Sequence, residues 1–225
     1  MKKILVIAAH PDDEVLGCGG TLAKYSKKGS KVKIIFLSDG ETSRDIKIKI
    51  KNKKILNRQN SAIKALKTLG VKHYVFGNFP DNKFDTVPLL EIVKYIEKEI
   101  KNFNPSTIFT HHYNDLNVDH QITSNATMTA CRPKNNNNVN LILFFEILSS
   151  TEWKISDPKN KFDPNWFEDI TSQMNLKLKA IKYYKSELKK NPHSRSLETI
   201  KALAIFRGSS SGVKFAESFV LGRKI

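Results

Sequence analysis

A short cluster of ionisable residues lies near the amino terminus: His10, Asp12, Asp13 and Glu14. It directly follows a continuous apolar run at 4–9, which is typical of a buried strand, and it precedes a helical pattern. Acidic residues at a helix start cap free N–H groups and interact favourably with the helix dipole, which accounts for one or two of the carboxylates. This role does not account for a histidine at the strand exit beside two adjacent aspartates. Two interpretations therefore stay open, a capped helix start and a metal site.

A second polar cluster, at 111–120, contains three of the six histidines of the chain, His111, His112 and His120. Histidine and carboxylate together suit zinc, and a catalytic zinc site has three protein ligands and one open position. One histidine and one aspartate from the first cluster, with one histidine from the second, would supply such a set. The alternative interpretation is a polar loop that carries surface histidines.

Motifs for other chemistries are weak in this chain. Residues 17–20 (GCGG) lack the GxGxxG spacing of dinucleotide-binding loops and the Gly-Lys-Ser/Thr end of a P-loop. The GxSxG motif of serine hydrolases does not occur. Cys18 and Cys131 form no CxxC pair, so we expect two small buried residues and not zinc ligands or a disulfide.

Strand and helix patterns alternate along most of the chain. Short apolar runs predict strands at 4–9, 32–37, 71–76, 106–110, 141–147 and 218–221. Amphipathic patterns predict helices at 14–28, 45–69, 87–101, 119–130, 170–185 and 194–206. This alternation predicts an α/β fold with a largely parallel sheet and helices on both faces, in a single domain of residues 1–225. Ligands bind such sheets outside the carboxyl ends of the strands, where the polar clusters fall.

Composition and charge narrow the class of protein. The chain of 225 residues carries 38 basic and 22 acidic side chains, a formal net charge of +16, which suggests an anionic partner. The basic excess is mainly lysine spread along the chain, so we favour a lysine-rich surface over nucleic-acid binding. No run approaches the ~20 apolar residues of a membrane span. The short apolar start leads into charged residues and not into a cleavage site, so we expect a cytoplasmic protein.

The first cluster and the glycines after it carry a family resemblance. Residues 8–14 (AAHPDDE) and 17–23 (GCGGTLA) closely resemble the opening motif of the PIG-L/LmbE-like deacetylases. Weaker similarities follow in the order of that family's motifs: LSDGE at 37–41, the helix that contains Arg58, Asp119-His120, and blocks at 162–165, 169–171 and 207–219. The similarity therefore spans nearly the whole chain.

This resemblance implies a Rossmann-like fold and a zinc ion bound by His10, Asp13 and His120. It also implies that Asp12 is the general base. A zinc ion would activate water and polarise an amide carbonyl, and Asp12 would accept the proton of the attacking water. Asp119 is expected to orient a neighbouring histidine.

The same resemblance suggests residues that contact the substrate. Arg58 is expected to contact its hydroxyl or phosphate groups, and Asp39 lies in the loop that resembles the family's loop after the second strand. His111 and His112 are further candidates at the end of the fourth strand. Because neighbouring side chains of a strand point to opposite faces, we expect at most one of these two histidines to face the zinc.

Asn117 is a departure from the family pattern. Several members carry a histidine three residues before the second metal histidine, and in this chain that position is asparagine. Asparagine donates a hydrogen bond but has no proton to give to the leaving amine. The proton must then come from Asp12 or from His111 or His112. We expect Asp12 to return to the amine the proton that it takes from water, with one of the two histidines limited to substrate binding or carbonyl polarisation, and Asn117 is a further candidate for substrate contact.

Together these patterns predict a zinc-dependent hydrolase that removes an N-acetyl group from an amino sugar or sugar conjugate, with a phosphate-bearing substrate among the alternatives. An amidase or O-deacylase that acts on another conjugate would use the same metal site. A non-enzymatic Rossmann-like nucleotide or nucleic-acid binder is the alternative from a different class. The sequence is also compatible with a homo-oligomer.

Overall fold

Seven strands and six α-helices make up the regular structure of residues 2–43, 48–133, 138–155 and 161–225, which the computed structural model describes. The strands are β1 (Lys3–Ala8), β2 (Lys31–Ser38), β3 (His73–Phe79), β4 (Thr107–His111), β5 (Leu141–Phe145), β6 (Trp166–Asp169) and β7 (Ala216–Lys224). The helices are α1 (Asp13–Lys27), α2 (Ile48–Leu69), α3 (Leu89–Phe103), α4 (Val118–Ala130), α5 (Met174–Ile181) and α6 (Leu197–Ser209). None of these helices is long and apolar enough to span a lipid bilayer.

All seven strands belong to one sheet, in the order β3-β2-β1-β4-β5-β7-β6. The first five strands pair in parallel. β7 pairs antiparallel with β5 on one side and with β6 on the other. The predicted α/β fold with a largely parallel sheet is therefore confirmed.

The carboxyl-terminal third departs from the predicted elements. The patterns predict one helix over 170–185, whereas α5 covers only Met174–Ile181 and is preceded by β6, a strand that they do not predict. The backbone N–H of Thr171 donates to Oδ1 of Asp169 at 2.8 Å, which forms a turn directly after β6. A strand of four residues is too short to show a clear alternation of polar and apolar side chains. The predicted start of α2, at Asp45, lies outside the described residues.

β1 is buried on both of its faces, which explains its continuous apolar run. Ile4 and Val6 pack into one core with residues of α1, α2, α5 and α6. Leu5 and Ile7 pack into a second core with residues of α3 and α4. The helices thus cover both faces of the sheet, as the sequence predicts.

The strand order changes direction at β1: β2 and β3 are added on one side of it, and β4 and β5 on the other. This strand pairs with β2 on one side and with β4 on the other, and Ile7 lies opposite Thr110 in the register. The loops after β1 and β4 therefore leave the same edge of the sheet side by side, at the kind of position where α/β sheets bind ligands. As a result, the ring centroids of His10 and His120 lie 5.4 Å apart although the residues are distant in sequence.

Close packing explains the small residues within α1. A Cβ atom at Gly20 would lie 2.8 Å from the side chain of Ile170, so this helix can lie against that residue only with glycine there. Cys18 and Cys131 are free and buried, as expected from their sequence context.

Candidate metal centre and active site

Three predicted metal ligands converge at the edge of the sheet between β1 and β4. One ligand atom from each of His10, Asp13 and His120 lies within 4.8 Å of the other two, and all three residues are buried. Asp13 Oδ2 is 3.4 Å from Nδ1 of His10, and Asp13 Oδ1 is 3.5 Å from Nε2 of His120. Asp13 Oδ1 has no hydrogen-bond partner among the described residues. A buried carboxylate that lies between two imidazoles, with one oxygen that accepts no hydrogen bond from the described residues, fits a divalent cation.

Carboxylates lie close to the far nitrogens of both histidines. His10 Nε2 lies 3.0 Å from Oδ2 of Asp119 and 3.2 Å from Oδ1 of Asp81. His120 Nδ1 lies 3.1 Å from Oδ1 of Asp115. Carboxylates in this position fix the orientation of a metal-binding imidazole and increase its basicity. The sequence predicts such a contact for Asp119, but its patterns do not identify Asp81 or Asp115.

These contacts also shift the pKa of His10. Burial alone would lower its pKa, but hydrogen bonds to Asp119, Asp13 and Asp81 raise the pKa well above its usual value. Asp13 has a pKa far below its usual range, because the nearby imidazoles outweigh the opposing effect of burial. The carboxylate of Asp13 is therefore ionised, which is the form that binds a cation.

A second group of potential ligands, His10, Asp81 and Asp119, also has its atoms within 4.8 Å of one another. Its carboxylate oxygens already accept hydrogen bonds. Asp119 accepts from the backbone N–H of Asn82 at 2.7 Å and of Phe84 at 3.0 Å, and Asp81 accepts from Ser43. The geometry therefore favours the group that contains Asp13 as the place for a metal ion.

Asp12 has a strained backbone immediately before α1. Its φ angle is 130°, in a region that residues with a Cβ atom rarely adopt. The backbone N–H of Asp12 donates to Oε2 of Glu14 at 2.9 Å, and the hydroxyl of Tyr184 donates to Oε1 of Glu14 at 2.5 Å. Burial raises the pKa of Glu14 to about 8. These contacts fix the backbone of Asp12 beside the metal ligand Asp13.

The side chain of Asp12 faces two arginines. Nη1 of Arg195 donates to Oδ2 of Asp12 at 2.7 Å, and Nη2 of Arg58 lies 3.6 Å from the same oxygen. Glu187 bridges the two guanidinium groups, 2.8 Å from Nη1 of Arg58 and 3.3 Å from Nη1 of Arg195. Burial raises the pKa of Asp12, while Arg195 and Arg58 oppose this shift.

A polar cavity of about 170 Å³, here the central cavity, lies beside these groups. The predicted site residues in its lining are His10, Asp12, Arg58, Asn117 and His120. The other polar side chains in its lining are Ser43, Asp81, Asn82, Ser149, Ser150, Glu187 and Arg195. Two of these side chains, Glu187 and Arg195, come from the segment between α5 and α6, where the sequence patterns predict no site residues.

Asp39 is not among the residues that line the central cavity. Its Oδ1 accepts hydrogen bonds from the backbone N–H groups of Glu41 at 2.7 Å and Thr42 at 2.9 Å. Asp39 therefore shapes the loop after β2, and Gly40 and Ser43 of that loop reach the cavity instead.

His111 and His112 have different neighbours at the end of β4. Nε2 of His111 accepts a hydrogen bond from the backbone N–H of Ala9 at 2.9 Å, and its ring stacks on that of His120 with centroids 3.9 Å apart. Burial and the neighbouring His120 hold the pKa of His111 well below its usual value. The ring of His112 lies 5.2 Å from that of Phe162. Neither histidine lines the central cavity.

Asn117 is the residue that precedes and caps α4. Its Oδ1 accepts from the backbone N–H of Asp119 at 2.8 Å and of His120 at 3.4 Å, and its Nδ2 donates to Oδ1 of Asn82 at 3.0 Å. Asparagine is among the best residues for capping a helix start. Although it lines the cavity, Asn117 is thus largely engaged in holding the start of α4.

Comparisons with known proteins agree with this geometry. The family model described as PIG-L, GlcNAc-PI de-N-acetylase, matches residues 5–131, more than half of the chain. A protein named "Uncharacterized deacetylase YaiS" from Escherichia coli K12 is 32% identical over 191 residues, which is 82% of this chain and 91% of that protein. The diacetylchitobiose deacetylase of Thermococcus kodakarensis is 25% identical over 223 residues, 96% of this chain and 82% of that protein.

A solved structure extends the likeness to the fold. The N,N'-diacetylchitobiose deacetylase from Pyrococcus horikoshii superposes with a TM-score of 0.79 at 25% sequence identity. The match covers 99% of this chain and 84% of that one. Together with the family match and the relative from Escherichia coli, it leads to a single assignment: the chain belongs to the PIG-L family of deacetylases.

Proposed function

We propose that this chain, as a single domain of residues 1–225, is a zinc-dependent hydrolase that removes the N-acetyl group of an amino sugar or sugar conjugate. One observation carries the proposal. His10, Asp13 and His120 converge at the wall of a polar cavity that Asp12 also lines, and Oδ1 of Asp13 accepts no hydrogen bond from the part of the chain that the structure describes. The names of the relatives support deacetylation as the reaction and amino-sugar conjugates as the substrates.

His10, Asp13 and His120 would hold the metal ion. Two imidazole nitrogens and one carboxylate oxygen form a donor set that zinc prefers at catalytic sites, where one position remains open. When bound, zinc supplies Lewis-acid activation of water and of the amide carbonyl. Asp119, Asp81 and Asp115 would keep the two imidazoles in place.

Asp12 would act as the general base and then as the acid. Its carboxylate lies beside the ligand Asp13 and is held by Arg195, so it can accept a proton from an attacking water without leaving its position. The same carboxyl group can pass that proton to the departing amine. His111 is a poor candidate for the acid, because its Nε2 accepts from Ala9 and its Nδ1 is buried away from the cavity.

The experiment is to incubate zinc-loaded protein with N-acetylated sugar glycosides and to measure acetate and free amine. We expect acetate release that a chelator abolishes and that added zinc restores. Asp12→Asn should retain zinc and lose at least ~100-fold in rate, the scale of a missing general base. Release that survives both chelation and Asp12→Asn would contradict the proposal.

Two further arms of the experiment separate the alternative functions. O-acetylated sugars of the same skeleton test an O-deacylase, because a preference for the ester over the amide would reassign the reaction. Duplex DNA tests the nucleic-acid binder, because specific binding of that kind weakens steeply with rising salt. We expect the N-acetyl substrate to be preferred and the DNA affinity to be low.

A further inference from the structure

We propose that a buried ion pair between Lys177 and Glu217 interrupts α1 and thereby positions the first turn of this helix, which carries the proposed metal ligand Asp13. Lys177 lies on α5 and Glu217 on β7, so both residues are distant in sequence from the metal centre. They are positioning residues, since neither lines the central cavity. The inference rests on the proposed function, because that function requires a metal ion on Asp13.

α1 is not continuous at Cys18, whose φ of −148° and ψ of 20° are not helical. In an unbroken helix each backbone N–H donates to the carbonyl four residues earlier, which for Gly20 is that of Leu16. Here the N–H of Gly20 donates to Oε1 of Glu217 at 2.8 Å, and the N–H of Thr21 donates to Oε2 at 2.7 Å. The carboxylate of Glu217 thus caps the second part of α1.

Lys177 provides the matching contact on the other side of the break. Its Nζ donates to the carbonyl oxygen of Leu16 at 2.8 Å and to Oε1 of Glu217 at 2.6 Å. The path from the N–H of Gly20 to the carbonyl of Leu16 therefore runs through two side chains, where an unbroken helix has one direct hydrogen bond. Side chains inserted into this ladder of hydrogen bonds are a cause of sharp helix kinks. The pair thus separates the turn at 13–17 from the rest of α1.

Stability alone does not account for this arrangement. Lys177 and Glu217 are only 5% and 4% exposed. Taking two charges out of water is costly, and apolar residues of similar volume often replace a buried ion pair without loss of stability. A continuous helix beside two apolar side chains would form the direct bond from Gly20 to Leu16 without that cost. We therefore look for the consequence of the break in the direction of the turn before it.

The turn before the break packs closely between the sheet and the metal centre. A Cβ atom at Gly17 would lie 2.5 Å from the ring of Phe145, so the turn lies directly against the end of β5. At the start of the turn, Oδ2 of Asp13 accepts from the backbone N–H of His10 at 2.8 Å, and Oδ1 lies 3.5 Å from Nε2 of His120. A turn that continued the axis of the rest of α1 would move Asp13 relative to both histidines. Because metal–ligand distances tolerate changes of only about 0.2 Å, the direction of this turn decides whether the three ligands meet at one ion.

The test compares two double variants that both remove the charges of the pair. The first, Lys177→Met/Glu217→Gln, keeps an amide group that can occupy the break, because its oxygen accepts a hydrogen bond and its nitrogen donates one. The second, Lys177→Met/Glu217→Leu, has no polar group at the break, so the direct bond between Gly20 and Leu16 can form. We expect the first variant to bind zinc about as tightly as the parent protein and the second to bind it ~10–100-fold more weakly. Competition with a chelating dye measures both affinities.

A spectroscopic measurement separates positioning from a general loss of structure. Cobalt(II) in place of zinc gives visible absorption bands that depend on the coordination geometry. We expect these bands to change in the second variant and to stay the same in the first, while the thermal midpoints of both metal-free variants remain close to that of the parent. Lys33→Met/Glu99→Leu is the matched control, because it removes an ion pair of 2.5 Å between β2 and α3 and leaves α1 intact. It should change neither the zinc affinity nor the cobalt spectrum.

An unchanged zinc affinity and cobalt spectrum in the second variant would overturn the inference, and so would an equal loss in both double variants. If the second variant does not fold, Lys177→Met alone decides. That substitution leaves the carbonyl of Leu16 without its donor and the carboxylate of Glu217 without its cation. We expect it to change the cobalt spectrum, and an unchanged spectrum contradicts the inference.

The outcome for the helix is separable from the outcome for the reaction. Metal binding does not require turnover, so a protein whose second variant loses zinc affinity, but whose parent releases no acetate, would contradict the proposed hydrolysis alone. A parent that releases acetate, with a second variant that binds zinc equally well, would contradict the role of the pair alone. A parent protein that binds neither zinc nor cobalt would contradict the metal site and with it both proposals.

Discussion

Asp12 carries both a reactive carboxylate and a backbone angle, φ 130°, that glycine adopts more readily. Asp12→Gly and Asp12→Ala both remove the carboxylate, but only alanine keeps the Cβ atom. We expect the glycine variant to be more stable than the alanine variant by about 1 kcal/mol, while both lose at least ~100-fold in activity. Denaturant unfolding and acetate release measure the two effects. Equal stability of the two variants would show that the backbone at this residue is not strained.

Asp115 is expected to act through His120. Because its carboxylate lies 3.1 Å from Nδ1 of that histidine, Asp115→Asn should lower zinc affinity by ~10–100-fold. His120→Ala, which removes the ligand itself, should lose most of the zinc. Competition with a chelating dye measures both. Asp85→Asn, at an exposed position, is the matched control. Unchanged affinity in Asp115→Asn would limit this residue to holding the loop through Ser150 and Thr151.

The sequence identifies the proposed metal ligands and general base more readily than it identifies the residues that contact them. His10, Asp12 and Asp13 are close in sequence, so their types and order identify them together. Arg195 lies 183 positions from Asp12, and the local sequence pattern around it predicts only the start of a helix. Asp81 follows β3 as the first cluster follows β1, and only this position at a strand end distinguishes it in the sequence.

At the scale of single elements, the cap of α4 affects both the stability of the helix and the position of a proposed metal ligand. Asn117 accepts hydrogen bonds from the backbone N–H groups of Asp119 and His120. The cap therefore also positions the proposed metal ligand His120 and the carboxylate of Asp119, which contacts His10. Asn117→Ala should cost about 1 kcal/mol of stability, and it should weaken zinc binding as well. Asn117→Asp retains a capping oxygen and should keep most of the stability. Thermal unfolding with and without zinc checks both, and an unchanged midpoint in the alanine variant would contradict the role.

The elements themselves differ in how well the sequence predicts them. β1, β2, β4 and β5 are largely buried parallel strands, and their apolar runs stand out between helical patterns, whereas β3 is a partly exposed strand at the edge of the sheet. β6 is a four-residue strand at the edge of the sheet, which pairs only with β7. Its apolar residues, Trp166 and Phe167, therefore form no run or alternation that differs from a loop or a helix start.

At the scale of the whole molecule, Glu14 links stability to pH. Burial raises its pKa from about 4.5 to about 8, so the folded protein keeps a proton that the unfolded chain releases. The stability from this proton is complete below about pH 4.5 and is lost as the pH rises through about 8. Glu14→Gln cannot lose a proton, so its melting temperature relative to the parent protein should rise with pH over this interval. Glu198→Gln, at an exposed position, should show no such trend.

The residues that contact Asp12 come from two widely separated parts of the chain. The segment that the family model matches, 5–131, contains every proposed metal ligand, whereas Arg195 and Glu187 lie beyond it. The proposed metal ligands and part of the cavity wall therefore lie in different segments of the chain. A relative could acquire a new substrate through substitutions between α5 and α6 alone, with every metal ligand unchanged. Exchange of that segment between relatives is accordingly a direct route to altered specificity in this fold.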